Sequence, residues 1–121
     1  MLPLHEELAP NSKYVGRESI QIKTLDSVLH AVRSEDQNIY LKIDAQGFEK
    51  NILDGAENVL RFIDTIQLEM SLLPLYEGDI LFHDMCRNLH QQGYRMVAIE
   101  PGFSDEQSGQ LIQCDGIFHR E

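Results

Sequence analysis

The sequence predicts an α/β fold in which a largely parallel sheet is closed by an antiparallel hairpin and covered by helices on both faces. Three observations carry that prediction. β-rich runs alternate with helix-period stretches in the order strand, helix, strand, helix, strand, helix, strand, strand. The last two strands follow one another with no helix between them, and 121 residues suffice for one core. Residues 1–18, which hold Pro3, Pro10 and Gly16 and no sustained period, read as an irregular lead-in; residues 19–121 read as the folded part.

Ser19, Ile20, Gln21, Ile22 and Lys23 alternate as a half-buried strand does. Thr24 then stands where its hydroxyl caps a helix through Leu25, Val28, Leu29 and Val32, which stops near the polar residues 34–38. Residues 39–43 form a short β-rich run that ends at Asp44, with a turn at Gly47. A helix stripe follows at Ile52, Leu53, Ala56, Val59, Leu60 and Ile63. Gly55 interrupts it, and Asp54 with Glu57 has the capping-box spacing of a helix restarting there.

Residues 65–70 are the next strand, where Ile66, Leu68 and Met70 share one face and helices over the other would bury Gln67 and Glu69. Beyond a linker with Pro74, Tyr76 and Gly78, a helix is marked by Leu81, Phe82, Met85, Cys86 and Leu89 and closed by Gly93. Residues 94–99 make a strand ended by Glu100, Pro101 and Gly102, and residues 111–119 make the last one. Asp115 and Gly116 read as a bulge within it, because as a hairpin turn they would leave each flank very short.

Composition narrows the function classes. Ten basic against 20 acidic residues give a net charge of -10, which repels phosphate backbones and anionic lipid, so neither nucleic acid nor membrane is an expected partner. No apolar run approaches the roughly 18 residues that span a bilayer. The opening Met-Leu-Pro-Leu-His-Glu-Glu lacks the basic region of a secretory signal, so the expected location is cytoplasmic. Cys86 and Cys114 stand apart without metal-ligand spacing and read as reduced core residues, and His83 with His90 lacks a third ligand, so no metal is expected.

Three successive strands end in acids: Asp44, Glu69 and Glu100. Ligands of such sheets lie beyond the carboxyl ends of the strands, so these carboxylates would rim one crevice. Glu69 is the sharpest of the three, since a carboxylate on a covered sheet face needs hydrogen-bonding partners or a raised pKa. Asp44 and Glu100 also have a plainer reading as helix caps or solvated acids. Neither a Gly-x-Ser-x-Gly elbow nor a Walker loop nor Gly-x-Gly-x-x-Gly is present.

The run Leu41-Lys-Ile-Asp-Ala-Gln-Gly-Phe-Glu49, followed by Ile52-Leu-Asp-Gly-Ala56, resembles the most recognisable segment of FkbM-family S-adenosylmethionine-dependent methyltransferases. There the pattern is Lys-Ile-Asp-x-Glu/Gln-Gly-x-Glu and then Val-Leu-x-Gly-Ala. Thr24-Leu-Asp26, Gln67-Leu-Glu69, Leu73-Pro-Leu-Tyr-Glu-Gly78, Ile99-Glu-Pro-Gly-Phe103 and Gln113-Cys-Asp-Gly-Ile-Phe118 match in order. The resemblance implies the later strands of a Rossmann-like class I methyltransferase sheet: the strand at Asp44 the fourth, that at Glu69 the fifth, and the last two the closing pair. It implies S-adenosylmethionine as methyl donor and a hydroxyl of a glycan or other small molecule as acceptor. On that reading Asp44 and Glu69 are the catalytic candidates, Asp44 and Gln46 the cofactor contacts, and Tyr76, Glu77, His83 and Glu100 the substrate-side residues. Gln46 stands where many members carry Glu.

The family's opening Asp-x-Gly-Ala-Asn-x-Gly loop, and the acidic strand end that holds the cofactor ribose, have no counterpart in these residues. The resemblance therefore implies a fragment or truncated member that is inactive alone, because no glycine-rich turn brings backbone to the cofactor. It also implies an open edge on the strand at residues 39–43, to be covered by the strand at residues 19–23 or by a second copy in a homodimer. Two rival readings stand beside it. One is a non-catalytic dimerising or interaction module derived from a methyltransferase; the other is an acid-pair hydrolase using Asp44 and Glu69.

Overall fold

The computed structural model describes residues 15–32, 34 and 37–120. Its elements are α1 (Leu25–Val32), β1 (Tyr40–Ile43), α2 (Glu49–Asp54), a 3-10 turn (Leu60–Phe62), β2 (Thr65–Ser71), α3 (Phe82–Gln91), β3 (Tyr94–Pro101) and β4 (Gln113–Arg120). The four strands form one sheet in the order β1-β2-β4-β3. β1 and β2 are parallel, whereas β4 runs antiparallel to both β2 and β3. The expected predominance of parallel pairing is thus corrected for the described residues. β4 inserts between two strands that run the same way, so two of the three pairings are antiparallel.

Residues in register across a sheet share a face. Leu41, Ile66, Phe118 and Met96 form one such row, and Ile43, Leu68 and Gly116 the next. This is the core face. Leu53, Val59 and Leu60 after β1, Met85 and Leu89 of α3, and Leu25 and Leu29 of α1 all join its cluster. Among the described residues the helices therefore cover one face, and the expectation of helices on both is corrected. The opposite face carries Tyr40, Lys42, Thr65, Gln67, Glu69, Asp115 and His119. Gln67 and Glu69 are half-buried there where burial was expected, because no described helix lies over them.

α1 begins as predicted, with Thr24 Oγ1 accepting the Ser27 N–H at 3.2 Å. The extended run at residues 19–23 is not a strand: it carries no ladder, and Ile20 and Ile22 are exposed. The predicted helix restart at Asp54 is also absent. α2 stops because Thr24 crosses over Gly55, where an added Cβ would lie 3.3 Å from the threonine side chain, and Asp26 N–H donates to the Gly55 carbonyl at 2.9 Å. The Asp26 carboxylate then accepts from Val59 N at 3.0 Å and Asn58 Nδ2 at 2.8 Å. Desolvation opposes the charge on Asp26, but the bonds from Asn58 and Val59 prevail and hold its carboxyl below the ordinary range. The apolar stripe survives across this broken helix, with Leu53, Ala56, Val59, Leu60 and Ile63 all buried.

The bulge lies in β3 at Val97, between the paired residues Met96 and Ala98, and not at Gly116 as predicted. Gly116 pairs regularly, and its missing side chain makes room for the Met70 methyl and the Phe118 ring. Tyr94 closes the far end of the core. Its hydroxyl donates toward the carbonyls of Leu60 and Ile63 at 2.8 and 2.7 Å, and the Arg120 guanidinium sits 4.4 Å over its ring. Cys86 and Cys114 are both free thiols inside or beside this core. No described helix is long and apolar enough to cross a membrane.

Candidate active site at the strand ends

β1, β2 and β3 run the same way, so Asp44, Glu69 and Glu100 come to one end of the sheet. Glu69 pairs in register with Asp115, and Asp115 with Glu100. Asp44 follows directly on Ile43, whose neighbour is Leu68, the residue before Glu69. Four carboxylates therefore line up across the helix-free face. Asp115 was read from sequence only as half of a bulge; antiparallel insertion of β4 is what puts it between two predicted acids.

Like charges this close cannot all stay ionised without cost. Burial pushes the Glu69 carboxyl up, and the neighbouring Asp44, Glu49, Asp115 and Asp79 push it further, to about 7. Asp115 is held by a relay that crosses three strands. Tyr40 Oη donates to Gln67 Oε1, and Gln67 Nε2 donates to Asp115 Oδ2 at 2.7 Å. The motif glutamine beside Glu69 thus fixes the neighbouring carboxylate.

Glu49 is a second residue whose part the motif alone did not reveal. Only 4% exposed, it accepts the N–H groups of Ala45 and Gly47 at 3.0 Å each. Those bonds close the loop after β1, with Gln46 at φ 52° and Gly47 at φ 101°. Burial raises the Glu49 carboxyl, the two loop N–H groups counter it, and Asp79 adds to the rise. One oxygen of Asp79 is itself buried without a hydrogen-bond partner among the described residues.

The other predicted site residues do not form one lining. Gln46 is exposed on the loop, next but one to Asp44. Tyr76 is 8% exposed and belongs to the core, whereas Glu77 faces outward. His83 is exposed in the first turn of α3, where its Nε2 lies 3.4 Å from Asp84 Oδ2. Glu100 is exposed at the end of β3. The described residues hold no group of three or more His, Cys, Asp or Glu placed to bind a metal ion.

The chain is a mixed α/β domain with a four-stranded sheet and acids at one set of strand ends. The sequence model of the family described as Methyltransferase FkbM domain matches residues 3–96 of the chain, which belongs to that family. Neither the curated proteins nor the solved structures contain a significant match to it.

Proposed function

We propose that the chain supplies the acceptor side of an FkbM methyltransferase site, with Glu69 as the base that takes the proton from an acceptor hydroxyl. The observation that carries this reading is the Glu69 carboxyl at about 7, at the carboxyl end of β2. A base poised near the working pH is the most effective kind. Glu69 would take the hydroxyl proton as the acceptor oxygen gains the methyl group. When bound, S-adenosylmethionine supplies a methyl on a cationic sulfur, already activated for displacement.

The donor set suits that cofactor, since a row of carboxylates favours its sulfonium and ammonium charges. Asp44 and Gln46, on the loop that Glu49 closes, are the residues we assign to hold it. A hydroxyl of a glycan or other small molecule is the acceptor on this reading. These 121 residues carry no Asp-x-Gly-Ala-Asn-x-Gly loop, so the chain alone is expected to bind S-adenosylmethionine weakly and to transfer nothing.

The test joins the chain to an N-terminal segment bearing that loop and follows labelled methyl transfer to hydroxyl acceptors. Glu69→Gln should slow transfer roughly 10²- to 10⁴-fold while leaving cofactor affinity within a few-fold. An unchanged rate would remove Glu69 from the chemistry. Failure of the joined protein to bind the cofactor at all would favour the non-catalytic module.

A further inference from the structure

On the reading of Glu69 as the base, on which this rests, we propose that Tyr40, Gln67 and Asp115 are its positioning residues. They fix which acid of the Glu69–Asp115 pair takes up the acceptor proton. Glu69 and Asp115 stand opposite each other in register on β2 and β4. Side chains opposed across antiparallel strands have Cβ atoms roughly 5 Å apart. Two carboxylates at that range cannot both ionise freely, so their surroundings decide which one holds the proton.

Those surroundings differ by one amide. Gln67 Nε2 donates to Asp115 Oδ2 at 2.7 Å, a bond that suits a negative oxygen. Tyr40 Oη donates to Gln67 Oε1 and so keeps the amide turned with its NH2 group toward Asp115. Turned over, the amide would set Oε1 against the carboxylate. Tyr40 lies on β1, Gln67 on β2 and Asp115 on β4, so the sheet itself holds the spacing of the chain. The Asp115 carboxylate is thereby held beside Glu69. Glu69 takes no offsetting hydrogen bond among the described residues; burial acts on it first, then the charges of Asp44, Glu49, Asp115 and Asp79, and all raise its carboxyl. Glu100 lies in register beyond Asp115, Lys42 in register with Gln67, and His119 bonds Thr65 farther down the same face. Glu69 therefore takes the proton, and Asp115 is the fixed charge that makes it basic enough to do so.

A carbon-13 titration of the side-chain carboxyls on the full chain tests this. It needs neither cofactor nor acceptor, so its outcome is separate from whether Glu69→Gln slows methyl transfer. Asp115→Asn should lower the Glu69 midpoint by roughly half a pH unit. Gln67→Asn, too short to bridge Tyr40 and Asp115, should move it in the same direction, and Tyr40→Phe should do so by less. In the Asp115→Asn background, Gln67→Asn should add nothing, because it acts through Asp115. All three positions lie on the face away from the core, so the variants should keep the wild-type circular dichroism. A Glu69 midpoint unmoved by Asp115→Asn would overturn the proposal. So would a Gln67→Asn shift that persists in full in the Asp115→Asn background, which would have Gln67 act on Glu69 directly.

Discussion

Glu69 and Tyr94 show how differently single residues carry this molecule. Glu69 sits half-buried among carboxylates, and its raised pKa is a cost to the fold at neutral pH. The protonated folded state is favoured at low pH, so the stability linked to this group is fully present below the ordinary glutamate range and is lost as pH rises through about 7. Glu69→Gln should therefore stabilise the protein near pH 8 by about 1–2 kcal/mol, less than the full shift because water screens the side chain. Urea denaturation at pH 5 and pH 8 checks it: the gain should shrink at the lower pH. Tyr94 has the opposite balance. Tyr94→Phe strips a donor from the carbonyls of Leu60 and Ile63 and should cost about 1–3 kcal/mol at every pH below the tyrosine range, measured the same way. Both residues were visible in the sequence as a strand-end acid and a strand-start aromatic. Their partners were not, because Asp115 lies 46 residues from Glu69 and Leu60 lies 34 from Tyr94, and local pattern carries no register.

The elements repeat that division between local and distant causes. α1 and α3 were legible because an apolar stripe and a local stop signal, Thr24 at one start and Gly93 at φ 88° at one end, lie within a few residues of each helix. The broken helix after β1 was not, since its cause is the crossing of Thr24 and Asp26, some 30 residues away, over Gly55. The Thr-Leu-Asp and Asp-Gly-Ala motifs are thus two halves of one contact. Gly102 is a similar case at the end of the β3–β4 ladder. An added Cβ would lie 2.6 Å from the Gln113 carbonyl oxygen, a backbone atom that cannot swing aside. Gly102→Ala should cost about 1–3 kcal/mol and accelerate amide exchange at Cys114, whereas ordinary exchange there would show that the ladder end has room to give.

At the scale of the whole molecule, the four strands of the sheet, the antiparallel pairing of the last two and the end at which the acids gather were readable from strand order and strand-end residues, although residues 19–23 were read as a further strand. The insertion of β4 beside β2, and the face over which no described helix lies, were not. Strand runs do not encode pairing, and the half-buried Gln67 and Glu69 would look alike under a helix or under water.

The central claim is that Asp44 and Glu69 lie close at one end of the sheet, where Asp44 helps to raise the Glu69 carboxyl. A carbon-13 titration of the glutamate side-chain carboxyls tests it most directly. The account predicts a Glu69 midpoint at about 7 that moves down in Asp44→Asn. A midpoint in the ordinary glutamate range, unmoved by that substitution, would contradict it.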